Sequence, residues 1–358
     1  MAARLDTRFD QQPIQPEAID RRIAVALRQP ALSTLQERLR HLLRDGLDHI
    51  PAPGHGATLK RWQALECVAR HDLALVKLYE SHTDALAILQ EIDTRHMPRP
   101  GTIYAVWASE ARIDPITIRA DEVTRDATHV LIDGRKAWCS GAELVDAALM
   151  TAVDAQGRRH LVEVRLASQG IVIDRSRWQA VGMRDSGSYD VVCRGVAARV
   201  VGPVDGYLDR PGFWHGGAGI AACWYGAAAA IGSRVRDLQV GRDDVHAFVH
   251  LGAIDTALAA GAALSRETAA AIDARPAVDA MRIALRLRGA IAELCEVVIH
   301  HASHAIGPGP LCNEADLAQR VADLPVFIRQ SRADHDRVAQ SRALLADSQE
   351  LAAAGWPL

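Results

Sequence analysis

Asp133-Gly134-Arg135-Lys136-Ala137-Trp138-Cys139-Ser140-Gly141-Ala142, followed by Val145-Asp146, and Gly182-Met183-Arg184-Asp185-Ser186-Gly187-Ser188-Tyr189-Asp190-Val191, leading to Val196, are the two stretches that decide the fold. Both lie in a region of short strand signals. Residues 102–108 are rich in β-formers, and residues 129–132 are apolar and precede the Asp133-Gly134 pair, a strong turn dipeptide. Further apolar runs follow at 144–153, 161–166, 170–173 and 189–193, with a Gln156-Gly157 turn between the first two. Turn signals recur roughly every ten residues, the rhythm of a β-barrel or β-sandwich.

On either side the pattern is helical. Upstream, residues 16–28 fit a short amphipathic helix. Ser33 is placed to cap a helix running to Arg44, with Gly46 as its stop. Residues 58–93 carry Trp62, Leu65, Ala69, Leu73, Val76 and Tyr79 at helical spacing, with a break expected near His82. Pro98 to Gly101 marks a boundary, and residues 203–211 mark a second. Beyond it, residues 216–234 are rich in Ala and Gly, residues 245–274 and 276–305 form two long amphipathic runs, and residues 317–346 resume after Gly307-Pro308-Gly309-Pro310. Long helices with short connections make a bundle. The expected architecture is α+β: an N-terminal helical domain (1–100), a central β-barrel or sandwich domain (101–205) and a C-terminal four-helix bundle (206–358).

Composition narrows the class. The chain has 358 residues, 49% hydrophobic and 24% charged, with a net charge of -3. That size suits two or three domains, and the charge gives no footprint for nucleic acid. The six cysteines form no CxxC pair, so free thiols in a reducing compartment are expected. The first twenty residues lack an apolar core, and no window of about 18 residues is apolar and uncharged. A cytoplasmic protein without a membrane span is expected.

The two opening stretches resemble the acyl-CoA dehydrogenase family. The first is similar to its Gly-x-Lys-x-Trp/Phe-Ile-Thr/Ser-Asn-Gly/Ala segment, the second to its Gly-x-Arg-x-Ser-x-Thr strand pair, and the order of domains matches. The resemblance implies a noncovalent FAD across the β domain with its ring toward the bundle. Trp138 would lie against the isoalloxazine face and Ser140 would hydrogen-bond near flavin N5. Residues 104–111 match the family's apolar strand end, which puts Ser109 beside the pyrimidine edge. His304, Gly307 and Gly309 resemble the glycine loop that meets the pyrophosphate or adenosine end across a dimer interface. A homodimer or homotetramer, an acyl thioester substrate and electron transfer to an electron-transfer flavoprotein follow from the same resemblance.

The sequence departs from the family at several points. The Gly-rich loop after the strand end is reduced to Arg112-Ile113-Asp114-Pro115. The Arg-x-x-Phe-Gly segment is absent, leaving Arg234, Arg236 or Arg242 as alternatives for phosphate. α,β-Dehydrogenation needs a carboxylate to take the α-proton while hydride leaves to flavin N5. The family's base position falls at Gln330 or Ser331, neither of which can serve, although Asp323 keeps a family aspartate. Asp209, His215 and Asp334 are the nearest candidates. A flavin-dependent monooxygenase, or a non-catalytic homologue, is therefore the alternative reading. His300 and His304 share a helix face without the metalloprotease glutamate between them, and Gly217-Ala218-Gly219 lacks the preceding strand of a dinucleotide site. Neither metal nor a Rossmann site is expected.

Overall fold

The computed structural model describes residues 18–30, 32–94, 97–109, 114–119 and 128–350. Four helices come first: α1 (Ile19–Leu27), α2 (Leu35–Arg44), α3 (Thr58–His71) and α4 (Leu73–Ile92). The cap of α2 is Thr34 rather than Ser33. Its hydroxyl accepts from Glu37 N at 3.2 Å and the Glu37 carboxylate accepts from Thr34 N at 2.9 Å, a reciprocal capping box. The break in the long helical run falls at Asp72, not near His82. Asp72 is extended, and its carboxylate accepts from Leu75 N at 2.8 Å, so one residue ends α3 and caps α4.

His82 is instead buried within α4 and bonds in two directions. Its Nδ1 accepts the backbone N–H of Tyr104 at 3.1 Å, which leaves the ring proton on Nε2 to be donated to Asp48 at 3.2 Å. One residue earlier, Ser81 Oγ accepts from Val106 N at 2.8 Å. These two side chains occupy the outer edge of the first strand.

Seven strands follow: β1 (Tyr104–Trp107), β2 (Thr117–Ile118), β3 (His129–Cys139), β4 (Ala147–Val153), β5 (Arg159–Arg165), β6 (Ile171–Asp174) and β7 (Tyr189–Val201). β4, β5, β7, β3 and β2 pair in a ring, closed by a single parallel register, Thr117 to Val153. β1 lies parallel to β4 and β6 pairs with β7, both outside that ring. The expected barrel is thus a five-stranded ring with two appended strands. Asp133-Gly134 does not reverse the chain. β3 runs straight through it, and Gly134 takes φ +119 at a bulge opposite β7. A Cβ at Gly134 would run into the Pro115 carbonyl, so tertiary contact, not a hairpin, selects the glycine.

The remaining helices are α5 (Gly206–Asp209), α6 (Gly212–Gln239), α7 (Val245–Ala274), α8 (Met281–Ile306), α9 (Pro308–Asn313), α10 (Ala315–Ile328) and α11 (Ala333–Glu350). The run expected at 317–346 is two helices, parted at residues 329–332. α6 is dense in small residues because other helices pass close to it. A Cβ at Gly226 would lie 2.5 Å from Glu66 O of α3. The helices before and after the strands therefore share one core, with Trp62, Leu65, Ala221, Ala227 and Val298 in a single buried cluster.

α7 buries Ala247, Ile254, Gly261 and Thr268, a seven-residue stripe facing α6 and α8. Its other faces are open, with Val245, Phe248 and Val249 exposed. By length and composition alone α7 is apolar enough to cross a membrane, which the sequence analysis does not anticipate.

The strand module is fixed to α10 at one point. Asp323 accepts the backbone N–H of Met183 and the amide of Gln319. Burial raises the Asp323 pKa, and those two donors oppose the rise. A Cβ on Gly182 would collide with the Ala322 carbonyl. Gly182→Ala should destabilise the protein by about 2 kcal/mol through forced repacking. Gly289→Ala, in helical α8 with nothing within 4 Å of its Cβ position, should stabilise by about 0.8 kcal/mol. Opposite shifts of the urea midpoint check the pair.

Candidate functional site

The end of β3 carries an exposed indole. Between Lys136 and Cys139 the register with β7 shifts, and Trp138 sits on that bulge with φ +57. A bulky side chain seldom adopts this left-handed backbone. The conformation turns Trp138 outward, leaving it 63% exposed. Asp190 supports the bulge from beneath. It is buried, accepts from Trp138 N at 3.4 Å, and pairs with Arg135 Nη1 at 3.0 Å. A bulky ring held outward on a strained backbone persists only because its neighbours hold the bulge in place.

Two residues on, Ser140 is buried in a chain of hydroxyls. Ser140 Oγ lies 3.0 Å from Ser188 Oγ, Ser188 lies 2.9 Å from Ser186 Oγ, and Ser186 donates to Met183 O at 2.8 Å. Three protons serve three bonds, and a carbonyl only accepts, so the direction is fixed. Ser186 donates to the carbonyl, Ser188 to Ser186 and Ser140 to Ser188. Ser140 therefore keeps only lone pairs for any further partner, and acts there as an acceptor. Trp107 Nε1 donates to Ser140 O at 3.1 Å, and Gly141 N to Ser186 O at 2.7 Å. The corner is rigid because its backbone and side-chain groups are both engaged.

Ser109 lies alongside. Its hydroxyl donates to Ala137 O at 2.5 Å, and its carbonyl accepts from Lys136 Nζ at 3.1 Å. Its proton is likewise committed inside the protein. Lys136 is 1% exposed and also donates to Thr151 Oγ1 at 2.7 Å, so it braces the interior of the ring. The strand end at 104–111 and the reduced loop at 112–115 fall partly outside the described residues, since residues 110–113 are not among them.

The three catalytic candidates are not brought together. Asp209 is exposed at the end of α5. Asp334 is 99% exposed at the start of α11, 4.0 Å from Arg337. His215 is buried on α6 with its ring against Gly54, and its Nε2 has no partner. Burial lowers its pKa, partly offset by Glu91. The α10–α11 connection, Arg329-Gln330-Ser331-Arg332, contains no carboxylate.

His304 is exposed on the last turn of α8, where its Nδ1 donates to His300 O at 2.8 Å. Gly307 takes φ +65 between α8 and α9, and the Cβ positions of Gly307 and Gly309 face open space. Of the arginines considered for phosphate, Arg234 is held by Glu314 through two 2.7 Å bonds, and Arg236 pairs with Asp237. Among the described residues no cluster of His, Cys, Asp or Glu is arranged to hold a metal.

Sequence reading missed the polar face of α4. Lys77, Glu80 and Asp84 recur at three and four residues in an otherwise apolar helix. Desolvation raises the Glu80 pKa, against the pull of Lys77. The signal was present as a polar stripe on a buried helix, but residues without a motif do not declare themselves in one sequence. The same α4 places Leu78 against Gly141, so this stripe lies on the helical turn that touches the Ser140 corner.

No family model and no curated protein matches the chain. Solved structures do. FMN-bound TdsC from Paenibacillus sp. A11-2 is 15% identical with a TM-score of 0.77, covering 92% of this chain and 96% of that one. Butyryl-CoA dehydrogenase from Megasphaera elsdenii is 13% identical with a TM-score of 0.77, covering 93% and 100%. KijD3 in complex with FMN and dTDP-3-amino-2,3,6-trideoxy-4-keto-3-methyl-D-glucose is 18% identical with a TM-score of 0.72, covering 93% and 95%. Over nearly its whole length, the chain has the fold of the acyl-CoA dehydrogenase-like flavoproteins.

Proposed function

We propose that the chain is a flavin-dependent monooxygenase acting on a small molecule, with the isoalloxazine resting on Trp138 and its N5 edge beside Ser140. The exposed, strained indole of Trp138 carries this reading. It offers a flat apolar wall in a backbone conformation that folding alone does not favour. The residues fit a flavin on a second count: Ser140, its own proton committed to Ser188, offers lone pairs that suit a ring N–H. Bound reduced flavin would supply two electrons to molecular oxygen, so that one oxygen atom enters the substrate and the other leaves as water. Electrons would arrive from a separate reductase.

Oxygenation is preferred to α,β-dehydrogenation of an acyl thioester because the α10–α11 connection lacks a carboxylate and Asp209 and Asp334 face solvent. Dehydrogenation needs a carboxylate base at the substrate, and the position at which the family resemblance places it holds none. The solved structures of this fold include a dibenzothiophene monooxygenase and a nitrososynthase, which is compatible with chemistry other than dehydrogenation. The choice between FMN and FAD follows from whether the His304–Gly309 segment meets a longer cofactor, as the family resemblance implies.

We also propose that a second copy of this chain covers α7. Phe248 and Val249 form an exposed apolar surface beside a packed heptad stripe, and burial against a partner removes it from water.

Three outcomes check these readings. Trp138→Gly should weaken flavin binding at least tenfold in a visible-spectrum titration. It should also raise thermal stability by roughly 1 kcal/mol, because glycine adopts a positive φ freely. Anaerobic mixing of flavin-loaded protein with a panel of acyl-CoAs should leave the flavin oxidised; bleaching by substrate alone would restore the dehydrogenase reading. Phe248→Glu with Val249→Glu should reduce the sedimenting mass to that of one chain.

A further inference from the structure

Ser140 is the near end of a relay of hydroxyls whose direction is set at the far end. Ser186, Ser188 and Ser140 are all buried, so no water competes for the three bonds that run from Ser140 to the Met183 carbonyl. That carbonyl is saturated. It accepts Ser186 N at 3.1 Å and Ser186 Oγ at 2.8 Å, which occupies both of its lone pairs. Met183 is itself fixed, since it takes φ +57 and its N–H is held by Asp323 of α10. Gly187, at φ +50, separates the two serines whose hydroxyls meet at 2.9 Å. Reversing the relay would require the Met183 carbonyl to donate, which it cannot do.

Among the described residues, Ser188 is the one hydrogen-bond partner of Ser140 Oγ. The open side of Ser140 is therefore a fixed acceptor. A flavin N5 at that point changes character with its oxidation state. The oxidised ring has a bare N5, which only accepts; the two-electron-reduced ring carries a hydrogen there, which it donates. A fixed acceptor pairs with the reduced form and sets lone pair against lone pair with the oxidised one.

We propose that Ser186 and Ser188 are positioning residues that make the site selective for reduced flavin, by holding the Ser140 proton away from N5. The inference rests on the flavin seat proposed above and adds a redox preference to it.

Anaerobic titration of the purified protein with oxidised and with dithionite-reduced FMN, repeated with FAD, tests it. The reduced form should bind about tenfold more tightly, which for a two-electron couple raises the midpoint potential of bound over free flavin by about 30 mV. Ser188→Ala and Ser186→Ala should each release the Ser140 proton to donate. Oxidised flavin should then bind about fivefold more tightly than in the unaltered protein, with the affinity for reduced flavin unchanged. Ser140→Ala should instead weaken the reduced form. A merely structural role gives a different signature, because a loosened corner weakens both redox forms together. Equal affinity of the unaltered protein for the two forms, a preference for the oxidised form, or parallel loss of both forms in the relay variants would each overturn the proposal. The first two outcomes need no variant, so a relay variant that fails to fold leaves them in force. Absence of binding by either flavin in either state would overturn the flavin seat and this inference with it; binding without redox preference would overturn this inference alone.

Discussion

On its outer side the backbone N–H groups of Tyr104 and Val106 have no strand to pair with, and α4 supplies acceptors through His82 and Ser81. The rest of the architecture follows from that substitution. An unpaired strand edge inside a folded protein must be satisfied or lost. Two side chains at adjacent positions on one helix satisfy it, and so fix the rotation of α4 about its axis. Once that rotation is set, Leu78 meets Gly141 and the polar residues Lys77, Glu80 and Asp84 are carried to the neighbouring face. The helix is the common wall of the strand ring and the Ser140 corner.

The corner itself is over-determined. Bulge, buried Asp190 and the serine chain each constrain it, and the strain at Trp138 persists because so many neighbours hold the surrounding backbone. Proton counting along Ser140, Ser188 and Ser186 leaves Ser140 with a definite polarity. That polarity is a property of the whole chain of hydroxyls, since removing Ser186 or Ser188 would free the Ser140 proton to point elsewhere.

Much of this was legible in the sequence. The two stretches around residues 133–142 and 182–191 pointed to the right fold, because a motif constrains several residues at once. Helix existence was legible from apolar spacing. Helix ends were less so: Asp72 breaks the run at 58–93 without glycine or proline, by capping the following helix with its side chain. Asp133-Gly134 reads locally as a turn, but a glycine at a bulge and a glycine at a hairpin carry the same letters. What separates them is the approach of Pro115, distant in sequence detail though near in space. The polar stripe on α4 was hidden for a related reason. Glu80 and Asp84 look like ordinary helix-surface acids until α5 and α6 are laid over them.

The contact between Gly182 and Ala322 has a mechanical meaning. There the main chain of the strand module touches the main chain of α10 with no side chain as a cushion, and the Met183 N–H to Asp323 bond bolts the two together. Compliance at such a joint is one-sided: the module has no travel inward.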